Sequence, residues 1–374
     1  MRELLDDLDR WRATGKRYVV GRVVGIEGSG PRDPGAAMAV NEDGEVIGSV
    51  SGGCVEGAVV AEALEMMRTN AAAKVVTFGY SDDEAFAVGL TCGGTIHVFM
   101  HEIAASPFDV FAQRVRADQP TALAVVIDGP RTGATMLIAP NPPAHHPAVA
   151  GTLGDAELDR VAARDALGEL EAGRTGVRHY GPQGQTTPED LADSPVVRVF
   201  VESFAPPPHM VIFGAVDFTS ALARVAKVLG YRVTVCDARQ VFATARRFPM
   251  ADEVLVAWPD ELFAKHGASL GTRDAVCILT HDPKFDVPAI QGALATNVGY
   301  IGVMGSRKTH AKRLERLAEV GLHGDALARV MSPIGLDVGA RTPEETAISI
   351  CGEIIARRTG RTARSLSSTS GSIH

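Results

Sequence analysis

The sequence predicts an α/β protein in which a small mixed α+β N-terminal domain precedes a Rossmann-like domain with a parallel sheet. The chain has 374 residues, of which 45% are apolar and 22% charged, so it is long enough to form two cores. Before Pro206 the β-rich runs are joined by hairpin-like turns, whereas after Pro208 strands and helices alternate. The consecutive prolines Pro206–Pro208 separate the two patterns as a stiff spacer.

These patterns set the expected boundaries. We place an N-terminal domain at residues 1–205, a Rossmann-like domain at 209–360 and a disordered, serine-rich tail at 361–374. Within the first domain, residues from about 106 to 195 give weak signals, with β-like runs at 122–127 and 134–138 and a polar helix near 156–171. We assign no chemistry to that middle segment.

Composition excludes several classes of protein. A formal net charge of −8 argues against a nucleic-acid-binding surface, and no apolar run is long enough to span a bilayer. We expect no N-terminal signal sequence. The five cysteines are widely spaced and form no C-x-x-C pair, which indicates neither a disulfide framework nor a zinc site. We expect a cytoplasmic protein without a metal centre, a membrane contact or a nucleic-acid partner.

The N-terminal domain begins with a leucine-rich helix over residues 2–14, which Gly15 ends. A β-rich run over 18–26 follows, and after a loop the hairpin of residues 36–48 leads to Gly52-Gly53-Cys54. Beyond that junction, apolar residues recur at helical spacing from Val59 to Met67. Cys54 is therefore expected at or near the first turn of a helix.

The start of a helix is a favourable position for an anionic ligand. At a helix start, unpaired backbone N–H groups and the positive end of the dipole favour an anion, including a thiolate. Gly52 and Gly53 have no Cβ, so a ligand can approach the main chain. A tight turn followed by a small buried cysteine is the alternative.

A second motif mirrors the first: Cys92 is followed by Gly93 and Gly94, and a strand from Ile96 comes next. Two glycine-backed cysteines suit a metal- or sulfur-bearing cofactor, and Arg32 at the tip of a glycine- and proline-rich loop adds a positive charge. Alternatively, these are independent tight turns and a surface loop.

The pattern of the second domain is typical of a nucleotide-binding sheet. Its predicted strands cover residues 210–213, 232–236, 253–257, 275–280 and 300–304. Asp237 lies about twenty residues past the first turn, where an acidic side chain binds ribose hydroxyls. The turn keeps only Gly214 of three glycines, because Val216 and Thr219 occupy the other two positions. A Rossmann-like sheet without its dinucleotide is therefore an equal alternative.

Polar residues follow the later strands, at the edge where open α/β sheets bind ligands. They are His281 and Asp282, Gly305, Ser306 and Arg307, and Gly335 and Asp337. Arg307 and Lys308 begin a helix, where cations oppose the dipole, so an anion such as a phosphate would explain them. A solvated basic pair is the alternative. The last helix is capped by Thr342 and Glu345 and ends at Gly360.

Taken together, six motifs resemble those of the XdhC/CoxI family, in the family's order. They are Glu27–Arg32, Gly48–Glu56, Thr91–Gly94, Leu279–Asp282, Tyr300–Arg307 and Ser332–Gly339. The resemblance covers both domains apart from the middle segment and the tail. One position departs from it: family members usually carry Gly-Ala-Gly-His where this chain has Gly214-Ala-Val-Asp217.

What the resemblance implies is an accessory factor rather than an enzyme. Such a factor binds the molybdenum cofactor (molybdopterin) transiently, supports its sulfuration by a cysteine desulfurase, and delivers it to a molybdenum hydroxylase of the xanthine dehydrogenase or carbon monoxide dehydrogenase type. On this interpretation Cys54 is the first choice for a cofactor or sulfur contact and Cys92 the second. A homodimer is expected for a chain of this kind.

Two rival functions remain. An NAD(P)-dependent oxidoreductase, or a subunit of one, would use Asp237 for ribose and Cys54 or His281 in chemistry. A purely structural adaptor between the hydroxylase and the desulfurase would bind both partners without any cofactor contact.

Overall fold

The computed structural model describes residues 1–28, 32–79, 94–103, 105–141, 147–186 and 196–369. The chain divides into two compact units, Met1–Pro206 and Pro207–His374. Two antiparallel sheets form the first unit, and a six-stranded parallel sheet forms the second. The predicted fold class, a mixed α+β domain followed by a Rossmann-like domain, is confirmed.

The first unit contains ten strands and four α-helices among its described residues. In chain order they are α1 (Leu5–Ala13), β1 (Tyr18–Glu27), β2 (Ala37–Asn41), β3 (Val46–Gly48), α2 (Glu56–Thr69), β4 (Lys74–Gly79), β5 (Thr95–Glu102), α3 (Ala105–Arg116), β6 (Thr121–Asp128), β7 (Thr135–Ala139), β8 (Ala148–Gly151), α4 (Ala156–Ala172), β9 (Gly176–Tyr180) and β10 (Val197–Phe204).

The two sheets of this unit repeat one topology. The first has the order β3-β2-β1-β5-β4 and the second β8-β7-β6-β10-β9, and in each a helix joins the third strand to the fourth. The register repeats as well, because Met38 pairs with Gly48 and Met136 with Gly151. Both glycines have a positive φ, and a Cβ on either would collide with a backbone carbonyl oxygen of the neighbouring strand. The unit is therefore an internal structural repeat.

The sheets pack face to face, which explains the long apolar run in β1. Val20 and Val24 contribute to a core that also contains Leu123 and Val125 of the second sheet, together with side chains of α1 and α3. On its outer face the first sheet is covered by α2, and the second is covered by α4. A strand covered on both faces needs no polar alternation.

The second unit alternates strands and helices. Its elements are β11 (His209–Phe213), α5 (Asp217–Val228), β12 (Arg232–Cys236), β13 (Glu253–Leu255), α6 (Pro259–His266), β14 (Ala275–Ile278), α7 (Pro283–Leu294), β15 (Tyr300–Val303), α8 (Arg307–Glu319), β16 (Val330–Met331) and α9 (Pro343–Thr359).

The parallel sheet has the order β13-β12-β11-β14-β15-β16, which is the order 3-2-1-4-5-6 of dinucleotide-binding sheets. Helices α5 and α9 cover one face, and α6, α7 and α8 cover the other. The direction of winding therefore reverses between β11 and β14. In such sheets the crevice outside the carboxyl ends of the strands at this point is the usual ligand position.

Several elements differ from expectation. Strand β4 and helices α3, α6 and α7 have no counterpart in the predicted pattern, and the middle segment, whose sequence signals are weak, forms four of the five strands of the second sheet, β6 to β9. The weak signals have a physical cause, because three of these strands, β7, β8 and β9, have only four or five residues each. The disorder proposed for the tail stays a prediction.

The last helix, α9, is capped as predicted. The Thr342 side chain accepts a hydrogen bond from the backbone N–H of Glu345, whose carboxylate accepts one from the backbone N–H of Thr342. Gly360 closes the helix in a left-handed conformation. We expect Thr342→Ala to cost about 1 kcal/mol of local stability, seen as faster amide exchange in the first turn of α9, with Thr342→Ser close to wild type.

Candidate functional site

The loop that carries Cys54 is held by the carboxylate of Glu56. Glu56 begins α2, and its side chain folds back over the preceding residues. It accepts hydrogen bonds from the backbone N–H groups of residues 50, 51, 52, 53 and 55, at 2.9 to 3.3 Å, and from the hydroxyls of Ser49 and Ser51. Seven donors therefore converge on one side chain.

This arrangement corrects an expectation from the sequence. We expected unpaired N–H groups at the start of α2 to be open to an anionic ligand. In the loop before α2, however, the N–H groups of residues 50–53 and 55 are bonded to Glu56, and the N–H of Cys54 donates to Ser51 Oγ at 3.0 Å. An anion that binds here must displace a carboxylate or be recognised by other groups.

Glu56 is ionised over a wide pH range. Its burial raises the pKa, but hydrogen bonds from the hydroxyls of Ser51 and Ser49 and from the backbone outweigh that cost and lower the pKa of Glu56 to about 2. The loop is thus organised around a fixed negative charge at neutral pH.

Comparison of the two repeats explains the shape of the loop. Asp159 lies eight residues after Gly151, as Glu56 lies eight residues after Gly48, and its carboxylate likewise accepts from the chain that enters the helix, at Thr152 Oγ1 and Leu153 N. In the second repeat, however, Asp155 caps the helix, so that α4 already begins at residue 156.

In the first repeat the corresponding turn is unwound. Gly52 and Gly53, with φ of 81° and 127°, occupy the positions of Asp155 and Ala156 and take a backbone conformation that no α-helix contains. Cys54 is consequently half-buried in a loop rather than in a helical turn. Among the described residues, nothing lies within 4 Å of a Cβ built on either glycine, so with respect to these residues the main chain beside Cys54 is open to close approach.

Three of the predicted site segments emerge at the same end of the first sheet. The loop with Arg32 joins β1 to β2, and the N–H of Ser49, after β3, donates to the carbonyl of Ala37 at the start of β2. Gly94 directly precedes β5, whose first residue pairs with Glu27 at the end of β1. Arg32 is exposed in this loop. Cys92 and Gly93 lie outside the described residues.

In the second unit, the turn between β11 and α5 packs closely against the residues that follow β14. Gly214 has a φ of 106°, and a Cβ there would lie 2.8 Å from Thr280 Cγ2 at the end of the adjacent strand. The residues that follow make the start of α5 unfavourable for a phosphate. Val216 supplies no capping side chain, and Asp217, which is 91% exposed, places a negative charge in the first turn of α5.

Asp237 lies at the expected ribose position, but its carboxylate is engaged by the protein. One oxygen accepts from the N–H of Ala215 at 2.8 Å, and both oxygens accept from the Arg239 guanidinium and backbone, at 2.8 to 2.9 Å. Burial raises the pKa of Asp237, yet these bonds hold it below its ordinary value. The expected direct contact of this carboxylate with ribose hydroxyls would require Arg239 to move away.

The remaining predicted residues follow β14, β15 and β16 at the carboxyl edge. Asp282 and Ser306 cap α7 and α8, because their side chains accept from Lys284 N and Thr309 N. The N–H of Gly335 donates to Glu353 at 2.9 Å, which fastens its loop to α9. His281, Arg307 and Asp337 are exposed at this edge, as is Lys308.

A buried ion pair beneath this edge was missed by the sequence analysis. Arg313 Nη2 donates to Asp286 at 2.9 Å and to the carbonyl of Met304 at 2.9 Å, and Nη1 donates to Ser332 Oγ at 3.3 Å. Asp286 also accepts from the hydroxyl of Thr280. The pair therefore connects the ends of β14, β15 and β16, which carry the predicted ligand residues. An acid and a base 27 positions apart give no local signal.

No group of three or more histidine, cysteine, aspartate or glutamate side chains in the described part of the chain could hold a metal ion. Over the same residues, no helix combines the length and the apolar character that crossing a bilayer requires.

Known proteins show similarity along most of the chain. Residues 210–354 match the profile of the XdhC Rossmann domain, and residues 11–79 and 114–181 match that of the XdhC and CoxI family. A probable xanthine dehydrogenase subunit of Bacillus subtilis is 28% identical over 348 residues, which cover 91% of this chain and 93% of that protein.

Two further similarities extend over comparable lengths. The molybdenum cofactor insertion chaperone PaoD of Escherichia coli is 27% identical over 348 residues, covering 92% of this chain and 85% of PaoD. A crystal structure of a xanthine dehydrogenase from Bacillus halodurans superposes with a TM-score of 0.64 at 23% identity, covering 98% of this chain and 97% of that one. The structural match supports the fold alone.

Proposed function

The chain belongs to the XdhC and CoxI family, and its relatives support a role as a maturation factor of a molybdenum hydroxylase. We propose that it fulfils this role by binding the molybdenum cofactor and inserting it into the hydroxylase. In this proposal the protein acts in the cytoplasm, a cysteine desulfurase supplies the terminal sulfur, and the chain functions as a homodimer. Holding, protecting and handing over the cofactor are its chemistry.

The observation that carries the proposal is the unwound turn before α2. It places Cys54, half-buried against the core beneath α2, beside two glycines whose main chain is open to close approach. A thiolate is a soft ligand suited to a molybdenum and sulfur centre. The residues of this turn therefore fit a cofactor that is contacted through sulfur and comes close to the main chain of the two glycines.

The negative charge of the cofactor has to be balanced by residues outside the turn. Because Glu56 already bonds the loop amides and is itself negative, the backbone donors of residues 50–53 do not serve an anionic pterin. Arg32, exposed on the loop that emerges at the same end of the first sheet, is the positive side chain we assign to this role. The same end carries Gly94, next to the second cysteine motif.

The test is retention of the cofactor. Purified protein is mixed anaerobically with isolated molybdenum cofactor and separated by gel filtration, and molybdenum and pterin are measured per chain. We expect near-stoichiometric retention by the wild type and at least a tenfold lower retention by Cys54→Ala. Cys54→Ser keeps the size of the side chain, so its loss of retention would assign the effect to sulfur. No retention by the wild type would refute the proposal.

An NAD(P)-dependent oxidoreductase is the weaker candidate. The strand order of the parallel sheet favours it. Against it stand the single glycine of the first turn and the negative charge of Asp217, both of which are unfavourable for the diphosphate of a dinucleotide. Turnover of a substrate with NAD(P) by the isolated chain would reverse this ranking.

A further inference from the structure

Aromatic and basic side chains follow β12 and β13 in the chain, beyond the carboxyl ends of these strands. We call Arg239, Phe242, Arg247 and Trp258 the β12–β13 platform. The segments that carry these side chains begin side by side at the ends of β12 and β13. There Asp237 N donates to Leu255 O at 3.1 Å, and Cys236 Sγ donates to Ala257 O at 3.4 Å. The platform therefore borders the carboxyl edge of the sheet, where ligands of open α/β folds bind.

Two guanidinium groups share one aromatic ring in this platform. The Cζ atom of Arg239 lies 4.6 Å from the centroid of Phe242, and that of Arg247 lies 5.4 Å from it. Arg247 also lies over Phe248, at 5.5 Å, and donates to the carbonyl of Ala215 at 3.3 Å. These contacts fix the direction of both groups, so little side-chain freedom is left to lose when an anion binds.

Both arginines still have donors that face solvent. Arg239 uses Nε and Nη2 on Asp237, and its side chain is 55% exposed. Arg247 is about a third exposed, and its nearest carboxylate, that of Asp217, is 3.7 Å away, which is too far for a strong hydrogen bond. The pKa of Arg239 is raised above its ordinary value, first by its hydrogen bond to Asp237 and in addition by the negative charge of Asp282.

Aromatic surface accompanies these charges. Trp258 caps the start of α6, is 47% exposed, and packs against Phe285 at a centroid distance of 5.6 Å. Phe242 is 41% exposed. Exposed aromatic rings next to guanidinium groups are the combination that binds a planar base together with its phosphate.

We propose that the β12–β13 platform binds a nucleotide that carries a phosphate on its ribose. Arg239 covers Asp237, the carboxylate that receives ribose hydroxyls in related sheets, so a ligand at this position meets a guanidinium instead. Arg247 supplies a second donor for the same phosphate, and the base lies against Phe242 or Trp258. The defective glycine turn takes no part. This proposal does not depend on binding of the molybdenum cofactor.

The test is calorimetric titration of the full chain with adenosine 2′,5′-bisphosphate, 5′-AMP and 5′-CMP. We expect the bisphosphate to bind at least tenfold more tightly than 5′-AMP, and Arg247→Gln to weaken it at least tenfold. Tighter binding of 5′-CMP than of the bisphosphate, or equal binding of all three ligands, would overturn the proposal, as would no binding at all.

A matched variant separates the platform from general charge. Arg232 is as exposed as Arg239 but lies at the start of β12, at the opposite edge of the sheet. Arg232→Gln should leave binding unchanged, and an equal loss in both variants would contradict the site. Fluorescence gives a second readout, because the chain has two tryptophans and Trp11 is buried in the first unit. Quenching by the bisphosphate should disappear in Trp258→Phe.

Discussion

Glu56→Gln should lower the hydrogen-exchange protection of the amides at residues 50–55 about tenfold, and Glu56→Ala should lower it further. The carboxylate accepts seven hydrogen bonds from this short segment, five of them from backbone N–H groups. Bonds to a charged acceptor are stronger than neutral ones, and a tenfold change corresponds to about 1.4 kcal/mol. The loop is partly exposed, so water replaces some of the lost partners.

The effect must depend on pH in one direction. Glu56 has a pKa lowered to about 2 from its ordinary value of 4.5. Its contribution to stability is therefore fully present above the ordinary pKa and is lost as the pH falls through the folded value. After allowance for solvent screening we assign it about 2 kcal/mol at pH 7. The difference between wild type and Glu56→Gln should shrink between pH 5 and pH 2.

Glu62→Gln is the matched control on the same helix. Glu62 makes an ion pair with Lys74 at 2.6 Å but accepts nothing from the loop before α2. Surface pairs of this kind contribute about 0.2–1 kcal/mol, and that loss should not reach residues 50–55. Equal protection in wild type and Glu56→Ala would show that the loop is held by something other than this carboxylate.

The sequence was most informative where structure is local. Helix caps such as Thr342 and the alternation of strands and helices after Pro208 depend on neighbours a few residues away, and these predictions are confirmed. The glycines before Cys54 are a local signal of the same kind, since their positive φ keeps the turn out of the helix.

Tertiary partners of polar side chains were not accessible in the same way. Nothing in the spacing of Glu56 shows that its carboxylate turns back over residues 49–55, or that Arg239 covers Asp237. The repeat within the first unit was missed because matching positions do not all keep their residue type: Gly48 corresponds to Gly151, but Cys54 corresponds to Glu157. Only the strand register reveals the correspondence.

Loss of the buried ion pair in the second unit should have the largest effect on stability. We expect Asp286→Ala to lower the free energy of unfolding of this unit by about 3–5 kcal/mol, because it leaves the Arg313 guanidinium buried without its counter-charge. Both side chains are less than 5% exposed. The measurement is amide exchange in β14 and β15, whose ends the pair connects.

Two comparisons decide whether the charge pair is responsible. Arg224→Gln removes an exposed pair with Glu344 in the same unit and should cost less than about 1 kcal/mol. Replacing both partners, as Asp286→Leu with Arg313→Met, removes the unpaired charge and should recover part of the loss. In the double variant, the amides of the loops after β15 and β16 should still exchange faster than in the wild type. Arg313→Met also removes the hydrogen bonds from Arg313 to Met304 O and Ser332 Oγ. A double variant no better than Asp286→Ala would assign the stability to packing around Asp286 rather than to the ion pair.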